Sequence, residues 1–235
     1  MSPAGPTSRR RSIVPPRLQQ PLTQARPPVD DLRDDALLQR LHFDAVDLSR
    51  RVSRLIDIEG CLLTGCQLAG SDLEKLTLTD TRLDRCDLAN LRVDHGSLAR
   101  VEVVAARMTG FTAVATSLRH VVFRDCLAGL SSFRFDSTVA VAFVDCRMHG
   151  ADFASAELRD TRFVRCDLSG AEFSQAKLKG AVFVDCTWEG VRGVTSLRGA
   201  TVANRSPIDQ LEFTTAMAAG LGITIGDPDD FEDEE

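Results

Sequence analysis

Seven cysteines and four histidines are the residues of this chain best suited to metal binding, redox exchange or nucleophilic attack. Their spacing argues against all three. Cys126, Cys146, Cys166 and Cys186 are 20 residues apart, Cys66 and Cys86 extend the series backwards, and Cys61 stands five before Cys66. No C-x-x-C pair occurs, whereas zinc sites draw ligands from closely spaced pairs. A period of 20 is a structural period, and cysteine in it reads as a small buried hydrophobe. His42, His95, His120 and His149 neither cluster nor share that period, and no nucleophile or carboxylate constellation accompanies them. Gly-rich phosphate loops, nucleophile elbows and metal-binding helix motifs are missing from the sequence. The expectation is a non-enzyme with no catalytic residue, metal or cofactor.

What positions these residues is a repeat of five. The thirty positions in register with Phe43, counted in fives through Trp188, are large and apolar in all cases but Ser53, Ala113, Ala128 and Thr138. Phe123, Phe143, Phe163 and Phe183 form one series at 20-residue spacing, and Phe133, Phe153 and Phe173 form a second. Leu158 and Leu178 continue Leu98 and Leu118, and Leu168 continues a further series. The position two earlier is often small, and all seven cysteines occupy it. Glycine is common two later, as at Gly60, Gly110 and Gly170.

Neither a helix, with its period of about 3.6, nor a flat strand, with its period of 2, buries every fifth residue. A chain that turns about 90° every five residues does, and four such units close a square coil of 20. The large residue and the small one two earlier then share the inner face. The residue at the corner needs φ > 0, which suits glycine.

The units CDLSG, ADFAS, AELRD and AEFSQ resemble the A(D/N)LXX repeat of the pentapeptide-repeat family. That resemblance covers roughly residues 41–203. It implies an all-β solenoid, a right-handed quadrilateral parallel β-helix, here with a C-terminal helix cap. About 7.5 coils between residues 41 and 190, at roughly 4.8 Å each, make a rod about 36 Å long.

The segments divide as follows. Residues 1–29 hold seven of the nine prolines and read as a disordered basic tail. The prolines after Arg9-Arg10-Arg11 leave no apolar run for an export signal, so the protein reads as cytoplasmic. Residues 30–41 read as a short helical N-terminal cap, and 42–204 as the coil. Ala113 to Thr138 holds three of the four exceptions, and mild distortion with some apolar side chains turned outward is expected there. After Trp188 the register slips by one. Residues 205–225 read as a cap made of a helix from Ser206 to Gly220 and a short strand in GITI. Ile208, Leu211 and Phe213 are its candidate cap or dimer residues, the dimer being implied by the family. Residues 226–235 are an acidic tail.

Charge bears on partners. Residues 1–40 hold seven Arg and four Asp, residues 205–235 one Arg and nine acids, and the body between them is close to neutral. Direct nucleic-acid binding is not expected, and no stretch is long and apolar enough for a membrane span. A rigid rod without a catalytic set suits protein contact, with the partner unidentified. The candidate contact residues are those flanking the phenylalanine series, Val122, Val144, Val164, Val182 and Val184. The resemblance implies an alternative, a duplex-DNA mimic that binds DNA gyrase and confers quinolone resistance or toxin immunity. The neutral body departs from that pattern.

Overall fold

A computed structural model describes residues 12–223. Its main sheet carries a column of ten parallel strands on one side of the coil, from Thr23–Gln24 to Thr201–Ala203. Register is 20 throughout the middle: Leu83 pairs with Val103, Phe123 with Phe143, and Phe163 with Phe183. At the C-terminal end the offset falls to 19, where Phe183 pairs with Val202. That is the slip expected after Trp188.

Every fifth backbone turns through the left-handed region. Glycines do so, as at Gly110 (φ 69°), but so do Arg100 (54°), Asp125 (55°), Leu130 (56°) and Phe135 (60°). The expectation that glycine serves the corners is therefore too narrow. A non-glycine residue costs roughly 1–2 kcal/mol in this conformation, and the corner is retained because rung bonds on both sides over-determine it.

The phenylalanines fill the interior as two interlocked columns. Rings stack along each column, 4.8 Å apart for Phe163 and Phe183 and 5.1 Å for Phe153 and Phe173. Across columns they meet edge to face, as Phe153 does Phe163 at 5.5 Å. Aromatic quadrupoles favour both geometries. Leu158, Leu168 and Leu178 line the other two sides and are fully buried.

The centre is less distorted than expected, with Ser117–Arg124 and Ser137–Val144 paired residue for residue. Three of the four exceptions have local compensation. Phe111, two before Ala113, turns inward and meets the Phe133 ring at 5.8 Å. Thr138 shares a hydrogen bond of 2.7 Å with Thr161. Ser53 donates to the Leu32 carbonyl at 2.8 Å, and Leu32, only 1% exposed, closes the first coil. Leu127, Leu130 and Phe135 do point outward.

The N-terminal region departs from expectation. Residues 30–41 contain no helix. The coil has already begun there: Leu37–Gln39 pairs with Asp57–Glu59, Leu38 is buried, and Asp35 and Arg40 make corners. Acidic residues that would suit a helix start instead bond to backbone, as when the Arg54 N–H donates to Asp34 at 3.0 Å. Residues 12–29 are not a structureless tail but lie against the coil, and Thr23–Gln24 pairs with Leu41–His42. Residues 1–11 and the acidic end, including the second half of the GITI segment, lie outside the described residues.

At the other end a helix spans Pro207–Gly220, with Ser206 accepting from the Asp209 N–H. It ends at Gly220 as expected, and the left-handed residue that follows its C-cap Leu221 is Gly222 (φ 74°). Of the three candidate cap residues only Phe213 packs on the coil, its ring 4.9 Å from Trp188. Ile208 and Leu211 are 69% and 65% exposed, so they do not cap. Phe213, Ala216 and Met217 form the packed face.

Candidate partner-binding surface

The cysteines lie where the period placed them, all buried and unpaired by disulfide. They do more than fill space. Ala151, Ala156 and Ala171 close their corners by donating their own N–H to the carbonyl three residues back (3.0, 3.1 and 2.9 Å). At the cysteine corners a side chain from the next rung bridges the corner instead. Cys146 donates to Phe123 O, Cys166 to Phe143 O and Cys186 to Phe163 O, at 3.5, 3.4 and 3.6 Å. Ser71 and Thr116 do the same with hydroxyls, and each also accepts an N–H from the rung before. The repeated residue is therefore a small side chain carrying one donor. Burial pushes the Cys61 thiol up, away from the reactive thiolate.

This predicts a graded outcome. Cys166→Ser keeps the bridge and should stay within about 1 kcal/mol of the parent. Cys166→Ala strands a buried carbonyl and should cost about 1–3 kcal/mol in urea titrations. Equal stability of the two variants would sink the bridging role.

The histidines do not converge. His95 and His120 occupy corners (φ 56° each), and the His149 ring lies over Gly129, where a Cβ would come within 2.2 Å of it. Among the described residues no group of three His, Cys, Asp or Glu side chains is placed to hold a metal, and no helix is long and apolar enough to cross a membrane.

The valines fall on the phenylalanine side. Val144, Val164 and Val184 are successive register partners and form an unbroken, half-buried column headed by Arg124. Val122 and Val182 belong to the neighbouring column, where Ala142 and Arg162 stand between them. The structure thus joins three of the five candidates and separates the other two. Corner ion pairs border the column: Arg165 with Asp145 at 2.5 Å and Arg205 with Asp185 at 3.0 Å. The Arg165 guanidinium holds the Asp145 carboxyl below the usual carboxylate range.

A second exposed group is Leu127, Leu130 and Phe135 (44%, 64% and 54% exposed), the outward-turned apolar side chains expected between Ala113 and Thr138. Their departure from the axial register was the available signal. The Arg134 guanidinium sits 5.4 Å from the Phe135 ring centroid, a cation–π contact.

Charge is balanced on each side rather than segregated. Acids and bases one rung apart pair repeatedly: Arg100 with Asp80, Arg92 with Asp72, and Arg192 with Glu172 at 2.6, 3.6 and 3.1 Å. Arg107 with Asp87 and Lys177 with Glu157 repeat the arrangement.

Square cross-section, parallel rungs of 20 residues and an inner lining at every fifth residue define a parallel β-solenoid built from five-residue units. The pentapeptide-repeat family model matches residues 56–92 and 146–183 of the chain in eight copies. Between the matched stretches the same coil continues without interruption. Similar solved structures include HetL from Nostoc sp. strain PCC 7120, a pentapeptide-repeat protein involved in heterocyst differentiation regulation. It is 16% identical over 73% of this chain and 87% of its own, with a TM-score of 0.33. Another is full-length QnrB1, a plasmid-mediated fluoroquinolone resistance protein, 13% identical over 77% of this chain and 98% of its own, with a TM-score of 0.33. No curated protein matches the sequence.

Proposed function

We propose that the chain is a non-enzymatic, protein-binding rod whose contact surface includes the Val144–Val164–Val184 column. The observation that supports this reading is the column itself. Three apolar side chains in direct register, bordered by ion-paired corners, make a rigid apolar strip with a polar rim, the arrangement typical of protein contacts. Val144→Lys with Val164→Lys should leave the circular dichroism spectrum unchanged, because both side chains face outward. It should also remove the proteins that the parent chain retains from native cytosol. Retention of the same proteins by both chains would count against the strip. Self-association through Ile208 and Leu211 belongs to the same reading, and light scattering at tens of micromolar decides it: a monomer there excludes it.

The duplex-mimic alternative meets a quantitative obstacle. Duplex DNA carries one negative charge per about 1.7 Å of axis, so a rung of about 4.8 Å would need roughly three unpaired negative charges. Residues 41–204 carry 21 acids against 20 bases, and the ion pairs between rungs leave no side with that density. A gyrase supercoiling assay separates the readings, and inhibition at micromolar protein would restore the mimic.

A further inference from the structure

The described N-terminal segment turns back along the outside of the rod. Thr23 and Ala25 donate to the carbonyls of Arg40 and His42 at the first rung, each at 2.9 Å. The chain then follows the corner that carries Arg40, Asp80, Arg100 and His120. The Arg17 N–H donates to Asp80 Oδ1 at 2.9 Å, and the Val14 N–H to His120 Nδ1 at 3.3 Å. Val14, Pro16 and Leu18 are half-buried, whereas Pro15, Arg17 and Gln19 are exposed. Ile13 is half-buried as well, so the segment lies partly covered along the coil without strict alternation.

The two anchors are commensurate with the rungs. Asp80 and His120 are two rungs apart, about 9.6 Å at roughly 4.8 Å per rung. Arg17 and Val14 are three residues apart, and three residues of polyproline II rise about 9.3 Å. Pro15 and Pro16, between the anchors, fix φ in the range this conformation needs. Residues three apart on such a helix present their N–H groups in the same direction, which suits the two contacts made by Arg17 and Val14 two rungs apart. On the rung between, Arg100 binds both Asp80 oxygens at 2.6 Å each and holds the carboxylate in place for the Arg17 N–H.

We propose that this corner is a docking site for an extended, proline-rich segment of a partner protein, and that residues 13–18 occupy it as a tethered competitor. The ligand is defined by what already fits: a proline pair between two residues whose N–H groups meet Asp80 and His120. This goes beyond the protein-binding role proposed above and does not depend on the valine column. A tethered arm acts at an effective concentration of about a millimolar. A free segment with an intrinsic Kd near 100 µM is then weakened about tenfold.

The test is fluorescence anisotropy with a labelled peptide of residues 12–20, titrated into full-length chains. A chain with Pro15→Gly and Pro16→Gly, its arm loosened, should bind the peptide about tenfold more tightly than the parent. Adding Asp80→Ala should return binding to the weak level. Because that change falls on the coil, a second control alters only the peptide. Arg17→Pro in the peptide removes the N–H that meets Asp80 and should weaken binding to the loosened chain at least tenfold. Equal affinity of parent and loosened chains, or indifference to the Arg17→Pro change, would overturn the proposal. So would a loosened chain that turns dimeric on size exclusion, since its arms would then be exchanged between copies.

Discussion

Phe153→Ala is expected to lower the unfolding free energy by about 4–5 kcal/mol, the upper end of the range for deleting a buried phenylalanine. Phe153 is fully buried and touches four rings: Phe133 and Phe173 stacked at 5.3 and 5.1 Å, Phe143 and Phe163 edge-on at 5.9 and 5.5 Å. In a globular core, neighbours relax into the space left by a deletion. Here the rung spacing is set by backbone hydrogen bonds above and below, so the cavity stays open. Stability in a solenoid is roughly a sum of neighbouring-repeat terms, so hydrogen exchange should quicken first in the rungs adjoining residue 153. Leu73→Ala is the control. It lies in the leucine-lined half, beside an existing void of about 30 Å³, and should cost about 3 kcal/mol. Urea titrations followed by circular dichroism measure both. A Phe153→Ala loss below about 2 kcal/mol would show that the interior relaxes after all.

The second large effect concerns Asp136, a carboxylate in the narrow lining. It is fully buried, accepts the Thr116 N–H at 2.7 Å through Oδ1, and has no hydrogen-bond partner at Oδ2. Burial, with the charge of Asp94 adding to it and the Thr116 bond opposing, pushes its pKa up from 3.8 to about 8. The folded chain thus holds a proton that the unfolded chain releases near pH 4. Stability from this group is fully present below about pH 4, falls as pH rises towards 8, and is level above that. At roughly 1.4 kcal/mol per unit the loss by pH 7 is about 4 kcal/mol. Exposed pairs such as Asp145 with Arg165, whose carboxyl pKa is lowered, act in the opposite sense, their contribution being lost as pH falls below about 4. Asp136→Ser should flatten the slope between pH 4 and 8. Its hydroxyl can accept the Thr116 N–H as Ser71 accepts that of Arg51. At pH 7 the variant should gain up to about 4 kcal/mol. An unchanged pH slope in thermal or urea unfolding would show that Asp136 titrates normally.

The coil was legible in the residues because a period of five matches neither helix nor strand, and because Phe123 to Phe183 and Cys126 to Cys186 recur at the coil length. Direction at each position followed from that period alone: inward for Phe143, outward for Val144. Even the slip after Trp188 was visible. What sequence could not convey depended on contacts between rungs or on the ends. Phe111 replaces the missing bulk at Ala113 because its ring meets Phe133 on the next rung. The bridging role of the cysteines needs the open carbonyl of a residue 23 positions earlier, which no local pattern reveals. Asp136 looked like any polar residue in a tolerant class until its column closed over it. Residues 30–41 carry a helix-like composition, yet pair as coil because Asp57–Glu59 offers them an open strand edge. The N-terminal arm has no periodicity of its own, and its place on the Asp80–His120 corner rests on hydrogen bonds to side chains 63 and 106 positions later. Sequence determined the repeating unit, since each unit makes the same local turn. Tertiary structure decided the caps, the compensations and the candidate contact surfaces, since these depend on which rung lies next to which.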